Sequence, residues 1–335
     1  LGDLEKVSPR PKYGTFSGHN GGGFVFILKD MEILGSGPGR IRNKRPTNQL
    51  VQITAEPFEL GSSKAFAEPD EVPVEVELGD FFLADHEVTA LEFKEFIKAS
   101  GYVTTADKAK FSLSWDGEQY VKCPRVNWAF NSKNSKRTQA EMNHPVVHVS
   151  WYDAIAYCNW RSGQENLEEV YKIKGEIVEM IPGANGYRLP TEAEWEFAAS
   201  EGPKDKIWAG TNQEKNLYQY ANFCDRKCGL SWKNPSQTDG FIYTAPVKSF
   251  KPNDFGLYDL SGNVAEWCWD GYRAYSDYGS PIIKNNYKAN GEGARVIRGG
   301  SWDDEAKVVR TADRTAARPN HRDRSIGFRV ARNME

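Results

Sequence analysis

Residues 295–332 read RVIRGGSWDDEAKVVRTADRTAARPNHRDRSIGFRVAR and carry the strongest structural signal in the chain. This stretch contains nine arginines. Acidic residues are interleaved with them, so no basic face forms at the helical or the strand period, as a nucleic-acid-binding element would require. The pattern therefore predicts internal arginine–carboxylate pairs. The interleaved acids are Asp303, Asp304, Glu305, Asp313 and Asp323.

The composition of the whole chain fits a globular protein without a strong electrostatic preference. The chain has 335 residues, a formal net charge of −3 and ten tryptophans, and 13% of its residues are aromatic. Large aromatic side chains build a substantial core even where the apolar content is modest. No run approaches the roughly 18 apolar residues that a membrane span needs. We expect no nucleic-acid partner, and we expect any signal or lipid-attachment segment to precede Leu1.

The chain divides into an N-terminal extension, residues 1–49, and one large domain, residues 50–335. The extension holds the glycine run Gly21–Gly23, which lacks the lysine of a phosphate-binding loop and predicts a turn or hairpin.

At the start of the domain, Val74–Leu78 alternates apolar and polar residues. This alternation predicts a strand that pairs with Phe81–Leu83.

Helices are predicted only before about Gly202, where three capping boxes mark their starts. In a capping box, two side chains three residues apart each accept from the other residue's backbone N–H. After Gly202 the sequence predicts short strands among long loops, and this mixture is typical of an α+β fold. The capping pairs are Thr89 with Glu92, Ser150 with Asp153, and Thr191 with Glu194.

Neither the cysteines nor the histidines predict a metal site. The five cysteines are too few and too scattered for a disulfide scaffold. For Cys224 and Cys228 a disulfide, two free thiols and, less favoured, a structural metal remain open. His144 and His148 have a spacing that suits a metal only on a helix, whereas Pro145 and the neighbouring valines predict extended backbone.

Two glycine-containing loops carry oxygen donors that suit Ca²⁺. Ordinary Asx-turns use the same residue types, so spacing alone leaves both explanations open. The donors are Asn222 and Asp239 in the first loop, and Asp259, Asn263 and Glu266 around Gly262 in the second.

Five segments in order resemble the formylglycine-generating-enzyme family, also called the sulfatase-modifying factor family. The resemblance covers about residues 51–332 and implies a C-type-lectin-like fold of the formylglycine-generating-enzyme type, α+β with low regular secondary structure. The segments are VEVELGDFFLADHEVTALEFKEFIKASGY from Val74, HPVVHVSWYDAIAYCNW from His144, YRLPTEAEWEFAA from Tyr187, NDFGLYDLSGNVAEW from Asn253, and the C-terminal RVIRGGSW with IGFRVAR.

Members of this family bind Ca²⁺ at two loop sites, so the resemblance implies structural Ca²⁺ as a cofactor here. The matching positions are Asn222, the Phe223 carbonyl, Asp239 and the Phe241 carbonyl for the first site, and Asp259, the Gly262 and Val264 carbonyls and Glu266 for the second.

The activity of the family does not follow from the resemblance. Its enzymes bind copper through two cysteines downstream of the Gly-Gly-Ser-aromatic motif. Here those positions fall at Asp304 and Val309, and no cysteine follows Cys268. Copper needs the soft sulfur ligands. The related sulfoxide synthases use a histidine-rich iron site whose pattern is missing here. We therefore expect no catalytic residues, no copper and no iron.

One branch of the family fits a chain that has the fold but lacks the copper-binding cysteines. It consists of the variable proteins of diversity-generating retroelements, and the sequence resembles the treponemal ones in particular. In these proteins a set of framework residues stays constant. The exposed positions between them start as asparagine codons of the form AAY, where Y is a pyrimidine, and are diversified by changes at the adenines. Trp302, Ile326, Phe328 and the arginines would form the framework. The positions whose identities are reachable in this way are Asp303, Asp304, Val308, Thr315, Ala316, Ala317, His321, Asp323, Arg324 and Ser325.

The resulting hypothesis is a non-catalytic display protein whose segment at about residues 295–332 binds varied macromolecular ligands, expected to be proteins. We expect it outside the cell or at the bacterial cell surface, with a membrane reached only through a lipid anchor that this chain lacks. The alternative is an oxidoreductase or an enzyme accessory of the same family that uses a non-cysteine site. A carbohydrate-binding lectin follows from fold analogy alone.

Overall fold

The structure is a computed structural model of the chain. It describes residues 14–17, 23–26, 48–116, 118–275, 282–283 and 293–334. No helix among these residues is long and apolar enough to cross a membrane.

The chain separates into two compact units, Leu1–Thr47 and Asn48–Glu335. In the first unit, strand β1 (Gly14–Ser17) pairs antiparallel with strand β2 (Gly23–Phe26). The glycine run predicted as a turn or hairpin falls at the start of β2, and its first two residues lie outside the described residues.

Three α-helices of the second unit begin where the sequence predicts, and a short fourth one, at Thr105–Ala109, was not predicted. All three capping boxes form: each cap hydroxyl accepts from the N–H three residues on, and each acidic partner accepts from the cap N–H. Gly101 ends the first helix with a φ of 68°, a left-handed conformation that suits glycine. The described α-helices are α1 (Ala90–Ser100), α2 (Thr105–Ala109), α3 (Trp151–Gln164) and α4 (Glu192–Ser200). Beyond α4 only short 3₁₀ turns occur among the described residues, at Gly202–Lys204 and Glu214–Gln219.

The strands of the second unit are short, and long loops separate many of them. They are β3 (Leu50–Ile53), β4 (Phe58–Leu60), β5 (Val74–Glu77), β6 (Phe81–Ala84), β7 (Phe111–Trp115), β8 (Tyr120–Pro124), β9 (Tyr171–Lys174), β10 (Ile177–Met180), β11 (Tyr187–Arg188), β12 (Ala265–Gly271), β13 (Ile282–Ile283), β14 (Arg295–Arg298), β15 (Arg314–Ala317), β16 (Ile326–Gly327) and β17 (Ala331–Asn333).

Two four-stranded sheets organise the domain. One has the order β11-β17-β6-β3, with all neighbours antiparallel. The other has the order β15-β14-β12-β16, in which only β12 and β16 run parallel. A third sheet has the order β13-β5-β4, and β7 pairs with β8, as β9 does with β10. The second sheet contains three strands of the C-terminal stretch, β14, β15 and β16, with β15 at its edge.

The predicted pairing of Val74–Leu78 with Phe81–Leu83 is wrong. Both segments are strands, but β5 pairs with β4, and β6 pairs with β3 and β17. The pattern of β6 explains the difference, because three of its four residues are buried. The backbone N–H and C=O groups on both edges of a strand in the interior need partners, and β6 finds them in β3 and β17.

Tryptophans of α3 and β12 form the centre of the main core. Trp151, Trp267 and Trp269 are each at most 1% exposed. Two of the three indole N–H groups are hydrogen-bonded: Trp151 donates to the Cys268 carbonyl at 2.9 Å and Trp267 to the Val149 carbonyl at 3.2 Å. The Trp269 N–H has no hydrogen-bond partner among the described residues, but its ring packs against those of Trp151 and Tyr171. These buried rings fix β12 in place, and β12 in turn supports β14 beside it.

Candidate functional site

The arginines around the second sheet are mostly inside the protein, where they bind carboxylates. Arg298 is fully buried and contacts Glu192 at 3.2 Å and also Glu196. Arg314 binds the same Glu192 through two nitrogens, at 2.8 and 2.7 Å. Burial of a carboxylate is costly, and a close cation with hydrogen bonds offsets that cost. The predicted internal pairing is confirmed, and it extends to Arg310 with Glu71 and to Arg329 with Glu266.

The Gly299-Gly300 pair turns the chain out of β14. Both residues have positive φ, 90° and 60°. A Cβ on Gly299 would lie 2.9 Å from the ring of Trp195, and one on Gly300 would lie 2.9 Å from the Val308 carbonyl oxygen. Only glycine fits both the backbone conformation and the available space.

A pocket of about 310 Å³ opens after this turn, lined by residues of β14, β15 and the β7–β8 hairpin. We call it the C-terminal pocket. Three aromatic side chains line it, those of Trp115, Tyr120 and Trp232. None of the three was predicted as a site residue, because each comes from a distant segment of the chain. Four aspartates also line it: Asp303, Asp304, Asp313 and Asp323.

Asp303 and Asp304 share the hydroxyl of Ser301. The Ser301 Oγ atom lies 2.7 Å from Asp303 Oδ1 and 2.7 Å from Asp304 Oδ2, and Ser301 N donates to the same Asp304 oxygen at 2.9 Å. Burial, and then the neighbouring charge of Asp303, raise the pKa of Asp304 above its ordinary value. Arg324 reaches Asp303 only at 3.3 Å. These two carboxylates are therefore less well matched by cations than the buried glutamates.

Asp323 is a fully partnered carboxylate. Its Oδ2 lies 2.9 Å from His321 Nε2, and its Oδ1 accepts from Ser325 N at 2.8 Å. Burial raises the pKa of Asp323, but the hydrogen bond and charge of His321 outweigh burial and leave it below its ordinary value. The contact positions were predicted to be exposed, yet Asp323 is 1% and Asp303 8% exposed. Both side chains are buried because each carboxylate accepts hydrogen bonds from nearby N–H or O–H groups and so stabilises a local turn.

The two positions of the family's copper-binding cysteines have different surroundings. Asp304 lines the C-terminal pocket. Val309 is fully buried in a small apolar cluster with Trp208 and Phe223. Neither side chain supplies a soft sulfur ligand. The free cysteines of the described chain, Cys123, Cys158 and Cys268, do not line the pocket.

Nine of the ten predicted contact positions line the C-terminal pocket or a groove next to it, and Arg324 lines neither. Those that line the pocket are Asp303, Asp304, Val308, Thr315, Asp323 and Ser325. Thr315 also lines the adjoining groove, together with Ala316, Ala317 and His321. Arg324 stacks on Trp302, with 5.0 Å between the guanidinium carbon and the ring centroid.

A disulfide between Cys224 and Cys228 closes the loop that leads to Trp232. Of the alternatives left open by the sequence, the structure has the disulfide. The same loop is attached to the C-terminal stretch at two points: Cys224 N donates to the Asp304 carbonyl at 2.8 Å, and Trp232 Nε1 donates to the Asp303 carbonyl at 2.9 Å. The loop thus holds one aromatic wall of the pocket in place.

In the first candidate calcium loop, Asp239 is the central side chain. It accepts from the backbone N–H groups of Phe223 (3.0 Å) and Phe241 (2.8 Å), while the Asn222 amide donates to the Tyr243 carbonyl. Burial raises the pKa of Asp239 to about 7. Phe223 and Phe241 therefore direct their N–H groups at Asp239. The resemblance instead implies that the carbonyl oxygens of these two residues bind the ion.

The second candidate calcium loop adds a residue that the sequence did not single out. Asp259 adjoins Glu87, and both are buried. Asp259 Oδ1 and Glu87 Oε2 have no hydrogen-bond partner among the described residues. Burial, and then the charge of Asp259, raise the pKa of Glu87 well above its ordinary value. Two orphaned buried oxygens fit a cation. Glu266, by contrast, binds Arg329 through both oxygens at 2.6 Å.

The two candidate calcium loops lie side by side. Asn263 N donates to the Asn222 carbonyl at 2.7 Å, and a Cβ on Gly262 would collide with that same carbonyl oxygen at 2.0 Å. Within the described ranges, no three histidine, cysteine or acidic side chains group as a metal ion needs. Any ion in these loops would therefore depend on backbone and amide oxygens as well. His144 and His148 contact Thr244 and Ser112 separately.

Comparisons with known proteins identify the family. A match to the sulfatase-modifying factor enzyme 1-like domain spans residues 39–334. A formylglycine-generating enzyme of Streptomyces coelicolor is 31% identical over 327 residues, covering 89% of this chain and 93% of that protein. An inactive C-alpha-formylglycine-generating enzyme 2 of Bos taurus is 30% identical over 317 residues, covering 85% and 88%.

Among solved structures, Treponema denticola variable protein 1 matches with a TM-score of 0.62 and 26% identity, covering 97% of this chain and all of that chain. This likeness confirms the similarity to a treponemal variable protein, TvpA, that the C-terminal motifs predict. With its α+β, C-type-lectin-like architecture, the chain belongs to the formylglycine-generating-enzyme, or sulfatase-modifying factor, family.

Proposed function

We propose that this chain is a non-catalytic ligand-binding display protein whose contact positions lie in residues 295–332. The observation that carries the proposal is the pair Asp304 and Val309, which stand where the family's enzymes need copper-binding cysteines. One is a carboxylate in a pocket and the other an apolar core residue. The likeness to Treponema denticola variable protein 1 supports the same conclusion.

The arrangement of the C-terminal stretch suits a surface that varies on a fixed frame. Framework arginines such as Arg298 and Arg329 are buried in ion pairs, and Phe328 is fully buried in the core. Thr315 is exposed, and Val308 and Ala316 are half-buried. Substitutions away from the core and its ion pairs usually change stability by less than about 0.5 kcal/mol. Contact positions of this kind can therefore vary without unfolding the protein.

The remaining parts of the proposal concern the ion, the partner and the location. Structural Ca²⁺ would occupy the two loops and would be held by Asp239 in one and by Asp259 and Glu87 in the other. The partner would be a protein, because the pocket and the adjoining groove form one extended surface. An extracellular or cell-surface location is supported by the Cys224–Cys228 disulfide, since disulfides persist in oxidising compartments.

Sequencing of the genetic locus tests the display function. We expect a second copy of the segment that encodes residues 295–335, rich in asparagine codons at the contact positions, next to a reverse-transcriptase gene. A locus with neither feature would rule out diversification.

An enzyme or enzyme accessory with a non-cysteine site is the second candidate. The observation in its favour is that burial raises the pKa of Asp313 to about 7, in the same pocket as the Asp323–His321 pair. Groups that titrate near neutrality can transfer protons. Oxygen uptake with thiol substrates in the presence of copper or iron would favour this candidate, and its absence would favour display.

A further inference from the structure

The C-terminal pocket lacks the close arginine partners that several other buried acids of the domain have. Glu71, Glu194 and Glu266 each have an arginine nitrogen at 2.6 Å. Four aspartates line the pocket, yet no lysine or arginine is among the described residues that line it. Two arginines reach aspartates of the pocket, at longer distances. Arg324 lies 3.3 Å from Asp303, and Arg310 lies 3.4 Å from Asp313 while it binds Glu71 at 2.6 Å.

Asp304 has bonding capacity left for a ligand. Its Oδ2 accepts from Ser301, but its Oδ1 accepts no hydrogen bond from the described residues. Burial raises the pKa of Asp313 to about 7 even though Arg310 and Arg298 oppose that shift. Asp304 can therefore accept a further hydrogen bond, and a cation that enters the pocket would favour the ionised form of both aspartates.

The aromatic side chains of the pocket complement this charge. Tyr120 and Trp115 pack edge to face, with ring centroids 5.2 Å apart. Trp232 is 37% exposed, but its indole nitrogen is fixed on the Asp303 carbonyl. The face of an aromatic ring attracts a cation, and the attraction grows when the cation is partly desolvated. Anionic oxygens and aromatic rings in one cavity together favour a positively charged group with an apolar stem.

We propose that the C-terminal pocket receives a lysine or arginine side chain of the protein ligand, placed between Trp232 and the Asp303–Asp304 carboxylates. This inference rests on the proposed display function and adds the chemistry of the group recognised. The volume of about 310 Å³ lies at the lower end of ligand pockets, which suits one side chain. A metal ion fits less well, because no three suitable side chains of the described chain are grouped for one.

A selection experiment with a defined probe tests the inference. A phage-displayed library of random 12-residue peptides is selected on the full-length protein and, in parallel, on the Asp303→Asn/Asp304→Asn variant. Glu56→Gln, at an exposed acidic position outside the pocket, serves as the matched control. Thermal melts establish that each variant is folded, and the single Asp304→Asn variant replaces the double one if the latter unfolds.

We expect peptides with one enriched lysine or arginine that bind the wild type and Glu56→Gln equally. Replacing that residue by glutamine, or using the Asp→Asn variant, should weaken binding about ten- to hundredfold, as for loss of a charged hydrogen bond. Trp232→Ala should weaken it as well. Tryptophan fluorescence can follow the titration, because Trp115 and Trp232 line the pocket.

Two outcomes would overturn the inference, and they differ in what they mean for the display function. Peptides that lose binding with Trp232→Ala but show no enriched cation would refute cation recognition and leave the ligand surface standing. Peptides that bind only elsewhere, unaffected by both the Asp→Asn and the Trp232→Ala changes, would count against the pocket and the display function together.

Discussion

Asp304 illustrates how one residue changes the chemistry available on this fold. A cysteine at this position would offer a soft thiolate for copper, whereas a carboxylate offers hard oxygens and a charge. The carboxylate accepts two hydrogen bonds from Ser301 on one oxygen and leaves the other toward the pocket. The position therefore offers hard oxygen atoms where a copper site needs sulfur.

The titration of Asp304 yields a pH-dependent prediction. Burial and the charge of Asp303 raise its pKa in the folded protein, so folded chains bind more protons than unfolded ones at pH values between the ordinary and the raised pKa. Stability is consequently lost as pH rises through that window. We expect Asp304→Asn to be more stable than the wild type at pH 8, by about 1.4 kcal/mol per unit of pKa shift. The gain should shrink toward pH 5.

Urea unfolding at the two pH values measures this gain, and Glu56→Gln is the control at an exposed carboxylate. An Asp304→Asn effect of equal size at pH 5 and pH 8 would mean that the carboxylate does not titrate abnormally.

Two elements set the shape of the ligand surface: the α4 helix with its arginine partners, and the disulfide loop with Trp232. The helix presents Glu192 and Glu196 to Arg298 on β14 and so attaches the helix to the second sheet. The loop contributes a wall from outside residues 295–332. The pocket therefore depends on contacts between segments about a hundred residues apart in sequence.

Removal of Arg298 should be strongly destabilising. In Arg298→Met, Glu192 keeps Arg314, but Glu196 loses its cation, and burial already raises the pKa of Glu196 to about 7. An uncompensated buried charge costs about 3–5 kcal/mol. Chemical denaturation measures the loss, and Arg226→Met is the control at an exposed arginine. Similar stabilities of the two variants would show that the buried pair contributes little.

Loss of the disulfide should act locally. It joins cysteines that are only four positions apart, so the entropic effect on the unfolded chain is small. In Cys224→Ser/Cys228→Ser we expect a nearly unchanged melting temperature but faster hydrogen exchange in residues 225–234 and greater quenching of Trp232. Cys123→Ser, at a half-buried free thiol, is the matched control. Unchanged exchange in this loop would show that hydrogen bonds alone hold it.

At the level of the whole molecule, structure that depends on neighbouring residues could be predicted from the sequence. Contacts between residues far apart in the chain could not. Capping boxes such as Thr89 with Glu92 depend on neighbouring residues, and they form as predicted. Strand pairing depends on partners far along the chain, so the pairing of β5 with β6 was wrong. Trp232 and Glu87 were missed for the same reason, since only the fold brings them to the pocket and to Asp259.

Calcium should raise the stability of the entire domain. A ligand that binds only the folded state stabilises it by about 2.7 kcal/mol at a hundredfold excess over its Kd. We expect the melting temperature to rise with Ca²⁺ relative to chelated protein and to respond less to Mg²⁺. Glu87→Gln and Asp239→Asn should each remove part of the shift. Equal melting temperatures with Ca²⁺ and with chelator would exclude calcium from both loops.

A pair of display libraries tests whether the C-terminal stretch is a variable surface on a fixed frame. One library randomises Asp304, Val308, Thr315, Ala316, Ala317 and His321. The matched library randomises Arg298, Trp302, Arg314, Ile326, Phe328 and Arg329. The fraction of protease-resistant clones is counted in each. We expect most clones of the first library and very few of the second to remain folded. Equal fractions in the two libraries would refute the division into contact positions and framework.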